Sequence, residues 1–180
     1  MNETNNAQRD ESTATKPDVT GTLTEQRVLT ENTNAARDLY NQSRYGTILD
    51  NGQVQLSLHE ALFLLQRNKL LVLDDEQNIL RFNDFVKRAK QVEDDFWIRY
   101  AVYKDMRKRG YIVKTALKFG ADFRVYDRGI KPGDDHAKWI VYPVHEGNTL
   151  TWYEFAAKNR VAHSTKKKLM LGVVDNEGDV

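Results

Sequence analysis

Hydrophobic residues follow a regular pattern only after residue 20 of this chain. The first 20 residues are mainly Asn, Thr, Glu, Asp and Ser, which bury too little apolar surface to offset the entropy of ordering, so residues 1–20 are predicted to be a disordered tail. Arg27–Thr30 has the pattern of a short strand, and residues 32–44 have that of a short helix or an irregular segment. Residues 45–56 predict a hairpin, because the Asn-Gly pair at its centre suits the positive φ angles of a tight turn.

Three helices are predicted in the middle of the chain. Ser57 and Glu60 form a capping-box pattern, in which the serine hydroxyl accepts from the third helical amide and the glutamate reaches back. Asn83 or Asp84 is expected to cap the second helix, whose apolar residues recur at three- and four-residue steps. The third helix is expected to end at Gly110, because glycine takes the left-handed conformation without a Cβ clash.

The last third of the chain has a pattern that is rich in strands. The predicted elements are strands at 111–114, 121–126, 139–142 and 169–174, a helix at 152–160 and an acidic turn at 175–179. The mixture of helices and strands indicates an α/β (α+β) fold. We place a domain boundary near residues 92–97, which separates a domain at 21–95 from a domain at 96–180.

The composition excludes several classes of protein. The chain has 180 residues, of which 40% are hydrophobic, and this is enough for one ordinary domain or two small ones. It contains no cysteine, so disulfides and thiolate metal sites are excluded. No apolar run approaches the ~18 residues of a membrane span, and the N-terminus lacks the apolar core of a signal peptide. We therefore expect a soluble protein of the cytoplasm.

The net charge of +1 conceals an uneven distribution of charge. Residues 1–95 contain 11 Lys and Arg against 16 Asp and Glu, whereas residues 96–180 contain 16 against 10. A basic half suits a polyanionic partner, because neutralising phosphates releases counterions and favours binding. The alternative is that these side chains only solvate the surface.

A tyrosine, a histidine and a lysine in the basic half suit the cleavage of RNA without a metal ion. RNA supplies its own nucleophile, the 2′-hydroxyl, so the protein needs a base, a cation for the phosphorane and an acid for the leaving 5′-oxygen. Histidine titrates near neutral pH, which makes His136 the natural acid, and Lys167 can hold an ammonium near the phosphate oxygens. Tyrosine has an ordinary pKa of ~10, so it is a poor base near neutral pH. Tyr126 therefore fits that role only with cations close to it, or as the group that orients the 2′-hydroxyl.

Each of these residues also has an ordinary structural interpretation. Tyr126 at a strand end suits a packing residue, and His136 in a polar segment suits a surface histidine. The lysines at 166–168 suit a solvated helix start or a non-specific phosphate contact. Asp134 and Asp135 beside the histidine suggest a metal site, but no second histidine or carboxylate lies at a supporting spacing.

A metal-dependent DNA nuclease is a further interpretation of the basic half. Its mark would be a carboxylate pair and a lysine on adjacent strands, and Asp122 with Lys138 is the nearest approximation to it.

Of the remaining histidines, His163 is expected either in the core or holding the lysine segment in place. His59 and His145 are expected to be structural or exposed.

Four segments, in order, resemble the motifs of one family, the archaeal tRNA-splicing endonucleases. They are residues 103–115, residues 118–129 with the run Lys-Phe-Gly-Ala-Asp-Phe-Arg-Val-Tyr, residues 160–169 with Arg-Val-Ala-His-Ser before three lysines, and the acidic residues 174–179. The resemblance covers roughly residues 54–180. It implies a small N-terminal α/β domain and a C-terminal nuclease-like α/β domain with a mixed sheet.

The resemblance also implies the roles of individual residues. The catalytic tyrosine, histidine and lysine of the family fall on Tyr126, His136 and Lys167. The arginine that stacks on a bulged base falls on Arg160, where a guanidinium plane against a base is physically sensible. The lysines on either side of the catalytic one would contact RNA, and these are Lys166 and Lys168.

The same resemblance implies the substrate, the products and the assembly. The substrate would be a precursor tRNA folded as a bulge–helix–bulge, recognised by shape and cut at both bulges to give 2′,3′-cyclic phosphate and 5′-hydroxyl ends, with no metal or cofactor. Two cuts imply two active sites, so a homotetramer, or part of a heterotetramer or dimer, is expected. The acidic loop of the family docks in a basic cleft of a neighbouring subunit, and here it would contain Asp175, Glu177 and Asp179.

The resemblance has one departure, at the end of the sequence. Family members continue with a further strand after the acidic loop, whereas this sequence stops at Val180. The alternative expectation is therefore a non-catalytic or incomplete subunit of a larger splicing assembly. The presence of Tyr126, His136 and Lys167 together favours an active enzyme.

Overall fold

The computed structural model describes residues 17–180, which form two β-sheets and five α-helices. The elements of the N-terminal half are β1 (Thr20–Leu23), β2 (Arg27–Thr30), α1 (Asn34–Ser43), β3 (Thr47–Ile48), β4 (Val54–Ser57), α2 (Leu58–Gln66), β5 (Leu71–Leu73) and α3 (Phe82–Val92). Those of the C-terminal half are α4 (Phe96–Lys108), β6 (Ile112–Thr115), a 3-10 helix (Leu117–Phe119), β7 (Phe123–Tyr126), β8 (Trp139–His145), α5 (Trp152–Ser164) and β9 (Lys168–Val174). The predicted α+β fold is confirmed.

Within residues 17–180, each half contains one mixed sheet. The strand order of the first sheet is β3-β4-β2-β1-β5, in which β1 and β5 are parallel and the other neighbours are antiparallel. The order of the second sheet is β6-β7-β8-β9, in which β8 and β9 are parallel. The predicted catalytic residues lie on or next to β7, β8 and β9, so the second sheet positions them.

The local signals for the N-terminal hairpin and the first long helix are confirmed. β3 and β4 pair as an antiparallel hairpin. The capping box is complete, because Ser57 Oγ accepts from the Glu60 amide at 3.3 Å while Glu60 Oε2 accepts from the Ser57 amide at 2.9 Å. The helix predicted at 152–160 is also present, but it continues to Ser164.

The predicted cap of α3 was wrong. Neither Asn83 nor Asp84 occupies the N-cap, which is Arg81 and makes no side-chain hydrogen bond to the helix. The reason is the residue before it, since the Leu80 amide donates to Val72 O at 2.8 Å. This hydrogen bond holds the chain on the first sheet up to the point where the helix begins.

The first strand of the described residues begins within the predicted tail. Val19 is buried and Thr20 begins β1, so the C-terminal limit predicted for the tail, residue 20, was placed too late in the chain. The remainder of that tail, residues 1–16, lies outside the described residues. Gly21 obscured the strand in the sequence, but β1 needs a glycine here because a Cβ would lie 2.7 Å from Val28 Cγ1 on β2.

The larger of two buried hydrophobic clusters in residues 17–180 joins the two halves. Leu62 and Phe63 of α2, Tyr103 of α4 and Phe123 of β7 are nearly inaccessible members of this cluster. The boundary predicted near residues 92–97 falls at the link between α3 and α4, and the apolar cluster is continuous across it. None of the helices within residues 17–180 is long and apolar enough to cross a membrane.

One histidine is buried in this cluster and stays neutral there. The His59 ring stacks on Phe96 with 4.8 Å between the ring centres, and His59 Nε2 lies 3.5 Å from Glu93 Oε2. Burial, and secondarily the positive charge of Arg99, lower the pKa of His59 to about 3. In the unfolded chain the same histidine takes up a proton below about pH 6.5, so it is protonated in the unfolded state well before the folded state.

We predict that the free energy of unfolding falls as the pH decreases from about 6.5 towards 3. Over this window the unfolded chain binds one more proton at His59 than the folded chain does, with a slope of at most about 1.4 kcal/mol per pH unit. Chemical denaturation of the wild type and of His59→Gln at several pH values measures this slope. The variant should lose that part of the slope whatever its absolute stability, and equal slopes would contradict the prediction.

Candidate active site

The register of the second sheet brings separate segments of the chain to one edge. Val125 of β7 pairs with Trp139 of β8, and Trp139 pairs with Lys168 of β9. One residue further along, in the direction of the C-terminal end of β7, Tyr126 at the end of β7 lies level with Lys167 just before β9. Because neighbouring strands are about 4.8 Å apart, the backbones of these two residues are separated by about 10 Å.

Tyr126 is held firmly at the end of β7. Its side chain is only 5% exposed, so most of the ring packs against protein. Arg124 lies two residues earlier on the same face of the strand and places its guanidinium carbon 5.9 Å from the centre of the tyrosine ring. Arg124 pairs with Ile140 of β8, which is buried in a small cluster that includes Ala162 of α5. A cation therefore lies beside the tyrosine ring.

His136 lies in the loop at 127–138, which connects β7 to β8. The two ends of this loop form an ion pair, with 2.5 Å between Lys138 Nζ and Asp127 Oδ2. The hydrogen bond from Lys138, and then one from a backbone amide, lower the pKa of Asp127. The His136 amide donates to Asp135 Oδ1 at 2.6 Å, and its side chain is exposed. The imidazole is therefore accessible to solvent, and the two ends of the loop that carries it are joined by an ion pair.

The end of α5 positions the three lysines that follow it. Lys166 has a left-handed φ of 55°, and its amide donates to His163 O at 3.0 Å. The Lys167 amide donates to Ala162 O at 2.8 Å. These two hydrogen bonds form a Schellman motif, with a lysine where glycine is usual. The motif turns the chain sharply from the helix into β9 and fixes the backbone of Lys167 at the sheet edge.

The three lysine side chains have different surroundings. The ammonium of Lys167 donates to Thr165 O at 2.9 Å and lies 5.8 Å from the centre of the Phe119 ring, and this side chain is half-buried. Lys166 and Lys168 are exposed. The middle lysine is therefore the one whose ammonium is held against the protein, which favours the assignment of the catalytic role to Lys167.

Arg160 lies on the outward face of α5. Ala162 is buried against the sheet, and a residue two positions away on a helix points in nearly the opposite direction. Arg160 is accordingly exposed, and Tyr153, two turns earlier on the same face, is 77% exposed. An exposed face that combines an aromatic ring with a guanidinium is suited to contact with nucleic acid.

Two alternatives from the sequence are not supported. Asp122 Oδ1 lies 2.9 Å from Arg99 Nε, whereas Lys138 pairs with Asp127, so the carboxylate and lysine of the supposed metal-dependent site have separate partners. Burial raises the pKa of Asp122, although Arg99 opposes that shift. The core position suggested for His163 was wrong because its side chain is exposed, and its backbone carbonyl alone joins the Schellman motif.

The predicted acidic loop is a tight turn at the far end of β9. Asp175 Oδ1 accepts from the amides of Glu177 and Asp179, each at 2.9 Å, so this carboxylate holds the turn together. Within residues 17–180 these three residues are the one group of three or more acidic or histidine side chains close enough to share a cation. β9 has seven residues, which places the turn about 23 Å from Lys167. The turn is therefore not part of the same site.

Comparison with known proteins identifies the family. Residues 19–86 match the model of the tRNA intron endonuclease N-terminal domain, and residues 96–180 match that of its catalytic C-terminal domain. The tRNA-splicing endonuclease of Nanoarchaeum equitans is 46% identical over 129 residues, which cover 68% of this chain and 83% of that protein. The chain belongs to the tRNA intron endonuclease family. The tRNA-splicing endonucleases of Thermococcus onnurineus and Pyrococcus furiosus are 41% and 42% identical over 158 residues, covering 88% of this chain and 90% and 89% of theirs.

The resemblance that was drawn from four segments is confirmed, and the chain is an endonuclease. The relatives named above are archaeal, as the resemblance implied. The match to the catalytic domain begins at the first residue of α4 and includes the whole second sheet of this tRNA intron endonuclease. The roles of Tyr126, His136 and Lys167 within that domain stay predictions.

Three residues of this tRNA intron endonuclease that contact Tyr126 or Lys167 were not predicted from the sequence. They are Arg124, Thr165 and Phe119. Arg124 alternates with Tyr126 along the predicted strand, so the two-residue period places both on one face and provided a signal. Thr165 and Phe119 had no such signal. Their contacts with Lys167 depend on the Schellman turn and on the packing of the 3-10 helix, neither of which has a local pattern in the sequence.

Proposed function

We propose that this endonuclease removes introns from precursor tRNA by cutting a bulge–helix–bulge at both splice sites. The observation that carries the proposal is the sheet register that brings a tyrosine and a lysine to one edge, beside the loop with the histidine. Further support comes from the relatives, which bear the name tRNA-splicing endonuclease. Recognition by shape suits such an RNA, because side chains cannot read the deep groove of an A-form helix.

In the proposed reaction the 2′-oxygen attacks the adjacent phosphorus and the bond to the 5′-oxygen breaks. Tyr126 takes the 2′ proton or orients the 2′-hydroxyl, with Arg124 as the cation beside it. Lys167 stabilises the charge on the phosphorane, and His136 donates a proton to the leaving 5′-oxygen. The products are a 2′,3′-cyclic phosphate and a 5′-hydroxyl. Because RNA supplies the nucleophile, the reaction requires neither an activated water nor a metal ion.

The proposed contacts to the rest of the RNA come from the cations around this edge. Lys166 and Lys168 are exposed on either side of Lys167 and would neutralise neighbouring phosphates. Arg160 would stack on a bulged base, which is consistent with its place on the outward face of α5.

Incubation with a bulge–helix–bulge RNA in excess EDTA tests the proposal. We expect two cuts, with 2′,3′-cyclic phosphate and 5′-hydroxyl ends identified by end mapping. A fully paired RNA of the same length serves as the control and should stay intact. Cleavage that depends on added Mg²⁺, or that leaves 5′-phosphate ends, would refute the metal-free transesterification.

We infer that the active form is an oligomer, a homotetramer or part of a heterotetramer or dimer, because two splice sites require two catalytic chains. The acidic turn would dock its free carboxylates in a basic cleft of a neighbouring subunit. Glu177 and Asp179 are exposed, whereas Asp175 uses its carboxylate within the turn. The docking charge is therefore assigned to Glu177 and Asp179.

We predict that Glu177→Gln combined with Asp179→Asn shifts the protein to a smaller species, measured by light scattering after size exclusion. Asp175 is retained so that the turn keeps its shape. The control, Glu31→Gln combined with Asp50→Asn, removes the same charge from two exposed positions in the N-terminal half and should leave the mass unchanged. An unchanged mass for the first variant, with a normal far-UV spectrum, would refute the docking role.

A further inference from the structure

An aromatic side chain is exposed beside the proposed catalytic lysine. Phe119 ends the 3-10 helix and is 37% exposed. The helix is tied to the sheet on both sides, because Ala116 and Ala121 are buried and the Phe119 amide donates to Ala116 O at 2.8 Å. Gly120 then ends the turn with a φ of 70°. The ring is thus presented from a short and well-anchored turn.

The position of the ring relates it directly to the phosphate site. The ammonium of Lys167 lies 5.8 Å from the centre of the Phe119 ring and donates to Thr165 O at 2.9 Å. In the proposed reaction this ammonium contacts the scissile phosphate. The nucleotides on either side of this phosphate would then have their bases close to Phe119. The ring is exposed, so a base can contact it.

We propose that Phe119 is the platform on which a base next to the scissile phosphate stacks. This inference rests on the proposed function, and it adds a substrate contact at that same site. Unpaired RNA bases stack on aromatic side chains, and every base offers a π-face, so such a contact selects an unstacked nucleotide rather than a sequence. Stacking would place the phosphate against Lys167, and a base that remains paired in a helix could not reach the ring.

The test combines variants of the protein with altered substrates. Phe119→Leu keeps an apolar side chain but removes the ring, and Phe119→Trp keeps a ring. Phe155→Leu is the matched control, because Phe155 is 38% exposed and lies at the start of α5, away from the lysine segment. Each protein is given the intact RNA and two RNAs with an abasic residue on the 5′ or the 3′ side of the cut bond.

For the intact RNA we expect Phe119→Leu to lower kcat/KM by about tenfold or more, while Phe119→Trp and Phe155→Leu stay near the wild type. For one of the two abasic RNAs the wild type should already show this loss, and Phe119→Leu should add little to it. If Phe119→Leu loses the same factor on every substrate, the ring only holds Lys167, and the platform is refuted. If it loses nothing on any substrate, the ring is a surface residue and the proposal fails.

A binding measurement separates this inference from the proposed function. 2-Aminopurine at the nucleotide identified above, or at each of the two positions in turn, loses fluorescence when it stacks on an aromatic ring. We expect quenching on binding to the wild type and to Phe119→Trp, and clearly less quenching with Phe119→Leu. This readout does not need cleavage. Quenching without cleavage would support the platform and refute the proposed reaction, whereas cleavage with equal quenching by all variants would do the reverse.

Discussion

Replacing His136 by alanine is expected to lower the rate of RNA cleavage by about 10²–10⁴-fold, which is the usual contribution of a general acid. RNA binding should change little, because the imidazole is exposed and its removal leaves the hydrogen bond from the His136 amide to Asp135 Oδ1 in place. The loop itself is closed by Asp127 and Lys138, and neither is altered. Single-turnover rates and filter binding measure the two effects separately.

Two controls make this prediction specific to the proposed acid. Asp134→Ala truncates another exposed side chain in the same loop and should cut at nearly the wild-type rate. A substrate with sulfur in place of the 5′-oxygen leaves as a thiolate, which needs no proton, so it should restore most of the rate of His136→Ala. If the variant cuts the ordinary RNA at the wild-type rate, or if the sulfur substrate gives no rescue, His136 is not the acid.

Replacing Glu60 by alanine is expected to lower the free energy of unfolding by about 3–5 kcal/mol. The Glu60 carboxylate does more than complete the capping box of α2. Its Oε1 accepts from the Gly46 amide at 2.9 Å and lies 3.2 Å from Lys114 Nζ, which also donates to Gly46 O at 2.6 Å. Burial lowers the pKa of Lys114, and Glu60 opposes this shift. Removal of the carboxylate would leave a half-buried ammonium without its counter-charge, between β6 and the first sheet.

The chain contains a matched control for this effect. Thr151 and Glu154 form a second capping box, at the start of α5, with the same hydrogen bonds but in an exposed position. Glu154→Ala should therefore destabilise the protein much less than Glu60→Ala, because solvent screens the exposed Glu154 carboxylate. Lys114→Met should cost less than Glu60→Ala, because Glu60 keeps its donors from Gly46 and Ser57. Urea denaturation measures all three, and equal losses for the two glutamate variants would contradict the role assigned to Glu60.

Local sequence signals located most of the elements, because each depends on residues that are close together in the chain. The capping box at Ser57 and the turn of the hairpin act over two to four residues. The capping box and the hairpin are present as predicted, but of the Asn-Gly pair only Gly52 has a positive φ, of 82°. The cap of α3 failed because a hydrogen bond from Leu80 to β5 decides where that helix begins. β1 was missed because Gly21 is there to let β2 approach closely, and a contact between strands has no local pattern.

The sequence alone was sufficient to recognise the family and to nominate Tyr126, His136 and Lys167, since these depend on residue type and order along the chain. The tertiary structure decided the rest. The pairing of β7, β8 and β9 brings residues 41 positions apart to one edge, from Tyr126 to Lys167. It also decided which lysine has its ammonium against the protein, and it placed Phe119 beside that lysine. These contacts arise from strand register and from the turn after α5, and both depend on long-range packing.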